Sequence, residues 1–210
     1  FTVTVTASDV TPPVVTVPLP LTLEATSAAG ATATFTAAAL DAFDGPLTPT
    51  CTPASGSTVA LGTTTVTCTA TDAHANTGTA SFTVTVGDTT GPAVTVPANA
   101  TLGSTSAAGA PYSFTASASD LVDGVVLVSC TPASGGTFPI GTTTVTCSAT
   151  DARSNTGSAS FTVTVTASDV TPPVVTVPLP LTLEATSAAG ATATFAASAL
   201  DAFDGPLTPT

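Results

Sequence analysis

The chain has 210 residues and a formal net charge of −12, and Arg153 is its only Lys or Arg. Such a chain lacks the basic surface that DNA- and RNA-binding proteins use, and its charge disfavours binding to anionic membrane surfaces. No run of about 18 apolar residues is present, so the sequence predicts no membrane span.

The predicted elements are all β-strands. Thr accounts for 49 of the 210 residues, and polar Thr alternates with apolar residues in many segments. In chain order, a first strand follows Pro13, a long Ala/Thr strand with an inward row of alternate residues covers 31–39, and further strands cover 66–70 and 82–86. Pro and Gly recur about every 8–12 residues, which is typical of all-β sandwiches.

The chain repeats itself at two levels. Residues 161–210 copy residues 1–50 with two substitutions, and within this period the segment 51–56 returns at 130–135. Self-similarity at a fixed period is typical of tandem arrays. We therefore predict four parts: the last strand of one unit plus a linker over 1–8, whole units over 9–87 and 88–168, and the first half of a further unit over 169–210.

The linkers between the predicted units have two lengths. The segment Val86-Gly87-Asp88 is short, whereas the linkers over 165–169 and 5–9 are two residues longer. Successive junctions are therefore expected to differ, so that the array repeats every two units. We also expect further units on both sides of this sequence.

Each whole unit contains one pair of cysteines at the same spacing, Cys51 with Cys68 and Cys130 with Cys147. Two cysteines per repeat in a Thr-rich, Lys-free chain favour disulfides and an oxidising, extracellular setting. A metal site is the alternative interpretation. It would need further ligands nearby, and the chain has a single histidine, His74, at a position that is Arg153 in the next unit.

Several segments together resemble the hyalin repeat, or HYR domain, and the resemblance covers the whole chain. They are 9–18, 24–30, 41–46, 61–68 with 71–72, and 82–86. The resemblance implies tandem immunoglobulin-like β-sandwiches, found in extracellular adhesive and surface proteins, each with one disulfide inside the domain. The second unit departs from the pattern, since Gly103 stands where the first has Glu24. This departure argues against an essential role for Glu24, which we place in the connection after the first strand.

The implied fold indicates where the Asp residues gather. In an immunoglobulin-like sandwich the N-terminal segment and two of the loops meet at one end. Four neighbouring carboxylates repel each other unless a cation or hydrogen bonds compensate, and hard oxygen ligands suit Ca²⁺. We therefore expect Ca²⁺ to bind at some domain junctions and stiffen the array. The candidate ligands are Asp9, Asp41, Asp44 and Asp72 in the first unit, and Asp88, Asp120, Asp123 and Asp151 in the second.

The alternative is that these Asp residues only form turns. Asp-Gly at 44–45 and at 123–124 is a common turn pair, and an Asp side chain often accepts hydrogen bonds from its own backbone. The spacing also matches no EF-hand loop.

No catalytic constellation is predicted, so the chain is not expected to be an enzyme. A nucleophilic Ser or Thr needs a base, and we interpret the single histidine, His74, as a solvated loop residue. Phe43 in the acidic loop is a candidate contact to a neighbouring unit, with Val122 as its counterpart. Asn99 begins a sequon for N-glycosylation, which is a weak signal.

The leading functional prediction is an extracellular fibre or cell-surface stalk of tandem units that serves adhesion or matrix formation, with itself as partner. Near-identical copies and the rigid Pro12-Pro13 and Pro172-Pro173 starts favour it. One alternative is an adhesin module for a glycan or cell-surface ligand that binds outside this sequence. Another is a spacer in a secreted multidomain enzyme.

Overall fold

The computed structural model describes residues 1–4 and 8–210. The predicted strand and linkers over 1–9 therefore fall partly outside the described residues, and residues 1–4 are not in a strand. The described residues form 21 β-strands and no helix, which confirms the all-β prediction. Nothing in this described part is a helix long and apolar enough to cross a membrane.

The chain divides into two compact units that do not coincide with the sequence repeats. The first comprises Phe1–Ala93, Ala118–Leu127 and Ala149–Gly157. The second comprises Val94–Ser117, Val128–Ser148 and Ser158–Thr210. Three short segments of the second repeat, 88–93, 118–127 and 149–157, thus belong to the same compact unit as the whole first repeat.

The first repeat forms nine strands in three sheets. A four-stranded sheet has the order β2-β9-β8-β6, a three-stranded sheet β1-β4-β5, and a two-stranded sheet pairs β3 with β7. The long strands β8 and β9 form an antiparallel ladder, and β2 runs parallel to β9. The strands are β1 (Val14–Thr16), β2 (Leu21–Glu24), β3 (Ala31–Ala33), β4 (Ala38–Asp41), β5 (Gly45–Leu47), β6 (Thr50–Thr52), β7 (Ser57–Val59), β8 (Gly62–Thr71) and β9 (Thr77–Gly87).

The second repeat has the same sheet orders, with β11-β18-β17-β15, β10-β13-β14 and β12-β16. The described part of the third forms the sheet β19-β20-β21. These strands are β10 (Ala93–Thr95), β11 (Ala100–Ser104), β12 (Ala110–Pro111), β13 (Ser117–Asp120), β14 (Gly124–Val126), β15 (Val128–Thr131), β16 (Thr137–Phe138), β17 (Gly141–Thr150), β18 (Thr156–Ala167), β19 (Val174–Thr176), β20 (Ser198–Asp201) and β21 (Gly205–Leu207).

The core lies on the inner face of the long strands, as their alternation predicts. In β8 the side chains of Val66, Cys68 and Ala70 are buried, and in β9 those of Phe82 and Val84 are buried, while their Thr neighbours are more exposed. The equivalent strands of the second repeat contribute Val145, Cys147, Phe161, Val163 and Val165 to the core of the second compact unit. Together these sheets form immunoglobulin-like β-sandwiches.

The prediction of one long Ala/Thr strand over 31–39 is wrong, because this segment forms two strands. It consists of β3, which pairs with β7, and β4, which pairs with β1. Between them the backbone of Phe35 bonds a side chain: its N–H donates to Ser55 Oγ at 2.9 Å, and Ser55 Oγ donates back to the Phe35 carbonyl at 2.7 Å. The inward row itself is confirmed, since Ala33 and Ala39 are buried. Alternation fixes which face is buried, but it does not say which strand is the partner.

Both predicted disulfides are present, Cys51–Cys68 and Cys130–Cys147. Cys51 on β6 and Cys68 on β8 are directly opposite each other in one sheet. The alternative of a cysteine metal site is thereby excluded for these residues.

The segment that leads into each sandwich crosses close to the start of its last long strand. A Cβ added at Gly78 would lie 1.8 Å from the carbonyl oxygen of Pro13, and one added at Gly157 would lie 1.8 Å from that of Pro92. Only glycine allows the two backbones to approach this closely at these positions.

Candidate cation site

The structure brings the eight Asp residues that the sequence singles out into two groups of four. Each residue offers one carboxylate oxygen, and within each group these oxygens all lie within 4.8 Å of one another. We refer to Asp9, Asp41, Asp44 and Asp72 as the first cluster, and to Asp88, Asp120, Asp123 and Asp151 as the second cluster. Both clusters belong to the first compact unit.

Turn formation explains part of the first cluster. Asp41, at the end of β4, accepts hydrogen bonds at Oδ1 from the backbone N–H groups of Phe43 and Asp44, at 2.7 and 2.9 Å. Asp72 Oδ1 accepts from the backbone of His74 and Asn76, each at 2.8 Å. The alternative interpretation as turn residues is therefore correct for these two Oδ1 atoms. It does not explain the Oδ2 atoms that accept no turn hydrogen bond.

Two carboxylate oxygens of the first cluster are buried without a donor. Asp41 is 2% exposed, and its Oδ2 accepts no hydrogen bond from any residue that the structure describes. The same holds for Asp9 Oδ2, whose partner atom Oδ1 accepts a bond of 3.0 Å from the Thr11 backbone. A buried, unpaired carboxylate oxygen is costly, so these two atoms are the ones best suited to a cation.

Hydrogen bonds favour the charged form of the loop aspartate. Burial alone raises the pKa of Asp72, but the Asn76 side-chain amide and the backbone N–H groups of Asn76 and His74 outweigh it, so the pKa lies below its ordinary value. Asn76 Nδ2 donates both to Asp72 Oδ2 at 2.8 Å and to the Asp9 carbonyl at 3.3 Å. This side chain therefore links the β8–β9 loop to the leading segment of the domain.

The second cluster has the same turns and a built-in positive charge. The guanidinium of Arg153 lies in the β17–β18 loop, with Nη1 3.4 Å from Asp88 Oδ2 and 3.1 Å from Asp123 Oδ1. Asn155 Nδ2 donates to Asp151 Oδ2 at 2.7 Å and to the Asp88 carbonyl at 3.1 Å, as Asn76 does in the first repeat.

Within the second cluster, the surroundings of Asp88 nevertheless disfavour its charged form. Burial and the neighbouring carboxylates of Asp120 and Asp151 raise the pKa of Asp88, although a hydrogen bond from Thr90 and the charge of Arg153 oppose them. The charge of Arg153 thus opposes the rise in the pKa of Asp88 without reversing it.

His74 is exposed, as predicted, but it is not merely solvated. Its Nδ1 lies 3.4 Å from Asp44 Oδ2, and its ring meets that of Phe43 edge-on at 5.2 Å between centroids. His74 and Arg153 are equivalent in the two repeats, so both loops direct a nitrogen-bearing side chain towards the acidic cluster. The basic residue two positions after Asp72 or Asp151 is the sequence signal that could have shown this.

A third group of acids is smaller. Asp169, Asp201 and Asp204 each offer an oxygen within 4.8 Å of the others, and Asp169 and Asp204 are exposed. Asp201 keeps the turn bonds from Phe203 and Asp204, at 2.7 and 3.0 Å.

Glu24 holds the start of the second repeat, a role that the sequence did not reveal. Glu24 ends strand β2 rather than lying in a connection. Its carboxylate accepts hydrogen bonds from the Thr89 N–H at 2.8 Å, the Thr89 hydroxyl at 2.7 Å and the Thr90 hydroxyl at 2.9 Å. The N–H and hydroxyl of Thr89 and the hydroxyl of Thr90 hold the pKa of Glu24 below its ordinary value of 4.5.

Of the two equivalent loop residues Phe43 and Val122, it is Val122 that packs with residues of the other repeat. Val122 lies in the loop after β13, is 8% exposed, and belongs to the core cluster of the first compact unit together with Val86. Phe43 is 57% exposed and contacts His74 of its own repeat. The two equivalent loop positions thus have different surroundings.

Asn99 lies in the loop before β11 and is exposed. Its side-chain carbonyl accepts a hydrogen bond of 2.9 Å from the Thr162 backbone. Glycosylation of Asn99 stays a prediction.

Solved structures that are similar to the chain include cadherin and protocadherin fragments. Mouse cadherin-23 EC22-24 is 14% identical, with 90% of this chain and 78% of that chain covered and a TM-score of 0.35. Human protocadherin-24 EC1-2 is 16% identical, with 74% and 98% covered and a TM-score of 0.31. Protocadherin gamma B2 domains 1-5 are 16% identical, with 90% and 45% covered and a TM-score of 0.33. These likenesses carry no argument about function, and no curated protein sequence matches the chain.

The family model of the HYR domain matches the chain twice in tandem, over residues 8–86 and 87–165. The two matches span most of the sequence and include both acidic clusters and both disulfides. The chain therefore belongs to the HYR domain family.

Proposed function

We propose that this chain is a structural segment of an extracellular fibre or cell-surface stalk, in which tandem HYR domains follow one another in a fixed geometry and serve adhesion or matrix formation. It has no catalytic role in this proposal. Its partners are the neighbouring domains of the same array.

The observation that carries the proposal is the junction that leads from the first repeat into the second. The Glu24 carboxylate takes three hydrogen bonds from Thr89 and Thr90, and Ala25 N–H donates to the Gly87 carbonyl at 2.7 Å. Val122 adds apolar burial to the same compact unit. A flexible linker would make no such set of polar and apolar contacts.

Two further features support an extracellular setting and a cation. Both cysteine pairs form disulfides, which persist in oxidising compartments. The clustered carboxylates are hard oxygen ligands of the kind that Ca²⁺ prefers. In the proposed array Ca²⁺ stiffens some of the junctions.

Small-angle X-ray scattering of the folded chain tests the proposal. A compact globule of 210 residues would have a radius of gyration of about 17 Å. A tandem with fixed junctions is expected to give a clearly larger value and a rod-like distance distribution. Electron microscopy of a longer array, with residues 9–168 repeated several times, is expected to show straight filaments with a regular repeat.

The control is the same longer array with Glu24→Gln and Val122→Ser in every copy. It is expected to form bent, beaded chains, because the polar and apolar contacts of this junction are weakened together. Equal flexibility of the parent and control arrays would contradict the proposed role of the junction.

A further inference from the structure

We propose that the first cluster binds one divalent, oxygen-preferring cation such as Ca²⁺, and that the Arg153 guanidinium takes the place of this ion in the second cluster. The inference rests on the calcium binding put forward in the proposed function, and it specifies which cluster holds the ion. Tandem domains of this type therefore bind one ion for every two domains.

The two clusters share one scaffold. In each, an Asp at the end of a strand accepts two backbone hydrogen bonds at Oδ1, from Phe43 and Asp44 or from Val122 and Asp123. In each, an Asn side chain links the loop aspartate to the leading segment. The clusters therefore match in these hydrogen bonds, and they differ in the side chain that faces the carboxylates and in which oxygens are left unpaired.

Arg153 supplies that difference. Its Nη1 lies within 3.4 Å of oxygens of both Asp88 and Asp123, and a guanidinium stays protonated under all ordinary conditions. At the equivalent position His74 Nδ1 lies 3.4 Å from Asp44 Oδ2, and a ring nitrogen also lies within 4.8 Å of an Asp9 oxygen. An imidazole is not permanently charged, as a guanidinium is. The first cluster is therefore the one that lacks a fixed positive charge.

The unpaired oxygens indicate what the first cluster needs. Asp41 Oδ2 and Asp9 Oδ2 are buried and have no donor within the described part of the chain, and Asp41 is 2% exposed. Two oxygens bound on opposite sides of Ca²⁺, at about 2.4 Å each, lie about 4.8 Å apart. The four oxygens of the cluster lie within 4.8 Å of one another, which suits such an ion.

Calcium titration of the folded 210-residue chain by calorimetry at neutral pH tests the inference. We expect one ion per chain, with a dissociation constant of about 10⁻⁴ to 10⁻³ M, as in other extracellular calcium modules. His74→Arg is expected to weaken this binding at least about tenfold, because the guanidinium would compete with the ion for the same carboxylates.

The reciprocal substitution is a gain of function and does not depend on loss of folding. Arg153→His is expected to raise the stoichiometry from one ion to two. Asp41→Asn, which retains the Oδ1 acceptor for its turn, is expected to remove the first ion. Asp204→Asn in the third group of acids is the matched control, and it is expected to leave both stoichiometry and affinity unchanged.

Two results would overturn the inference. One is the absence of calcium binding in both the parent chain and Arg153→His. The other is binding of two equivalent ions by the parent chain with no effect of either substitution. A rod-like scattering profile in chelator alongside the first result would leave the proposed array intact, whereas a compact or flexible profile would contradict the array itself.

Discussion

At the scale of single residues, polar side chains that alternation alone would place on the surface take part in the junction between the first and second repeats. Glu24 is exposed, yet it accepts three hydrogen bonds from Thr89 and Thr90. The absence of Glu at the equivalent position, Gly103, shows only that the second repeat does without these bonds. It does not make Glu24 dispensable in the first.

Glu24→Gln is expected to destabilise the chain at neutral pH but not in acid. The pKa of Glu24 is lowered in the folded chain, so its contribution is complete above the ordinary value of 4.5 and is lost as the pH falls through the lowered value. Urea unfolding at pH 7 and at pH 2.5 would measure this. A difference between parent and variant that is as large at pH 2.5 as at pH 7 would contradict the prediction.

The disulfide in the first repeat has a larger expected effect. It closes a loop with a sequence separation of 17 residues between β6 and β8. Replacing both Cys51 and Cys68 by Ala is expected to lower the free energy of unfolding by about 3 kcal/mol, because the unfolded chain gains conformational freedom. Denaturant unfolding with the second disulfide intact would measure the change, and an unchanged midpoint would refute it.

At the scale of elements, the last long strand of each sandwich depends on a close backbone crossing. Gly78→Ala is expected to cost at least about 2 kcal/mol, since the added methyl group would overlap the Pro13 carbonyl at the start of β9. Gly87→Ala at the other end of the strand is the control, because no heavy atom lies within 4 Å of the added Cβ. Thermal unfolding of the two variants would compare them, and equal losses would contradict the account.

The loop after β13 contributes apolar burial to the first compact unit. Val122→Ala is expected to cost about 1–2 kcal/mol, because it removes two buried methyl groups. Phe43→Ala, at the equivalent but 57% exposed position, is expected to change stability by less than about 0.5 kcal/mol. Equilibrium unfolding in guanidinium would measure both, and a greater loss for Phe43→Ala would reverse the assignment.

The elements also show how far the sequence predicts this fold. Alternation identifies the inner faces of β8 and β9, and equal spacing identifies the cysteine pairs, because both are local patterns. The break between β3 and β4 at Phe35 was not predictable, since it depends on which strand lies alongside and on the hydroxyl of Ser55. The meeting of the Asp residues followed from the implied fold, whereas the contacts of Glu24, Val122 and Arg153 depend on side-chain positions that only the structure gives.

At the scale of the whole molecule, the net charge of −12 with a single Arg acts against folding, because like charges repel more strongly in the compact state. Raising NaCl from 0.01 to 0.5 M is expected to raise the melting temperature, since the Debye length falls from about 30 Å to a few ångströms. Calorimetric scans in sucrose of equal osmolality provide the control for non-ionic effects. A melting temperature independent of salt would show that this repulsion is already neutralised within the fold.

The ion pairs of Arg153 have a further consequence, for the lifetime of the protein among proteases. Arg153 is the only residue in the sequence after which trypsin can cut. Its guanidinium is held by Asp88 and Asp123, and the backbone that follows is fixed where Asp151 accepts the N–H of Asn155 at 2.8 Å. Cleavage requires this loop to open and the side chain to leave its carboxylates. The acidic cluster therefore shields the one tryptic site of the whole chain.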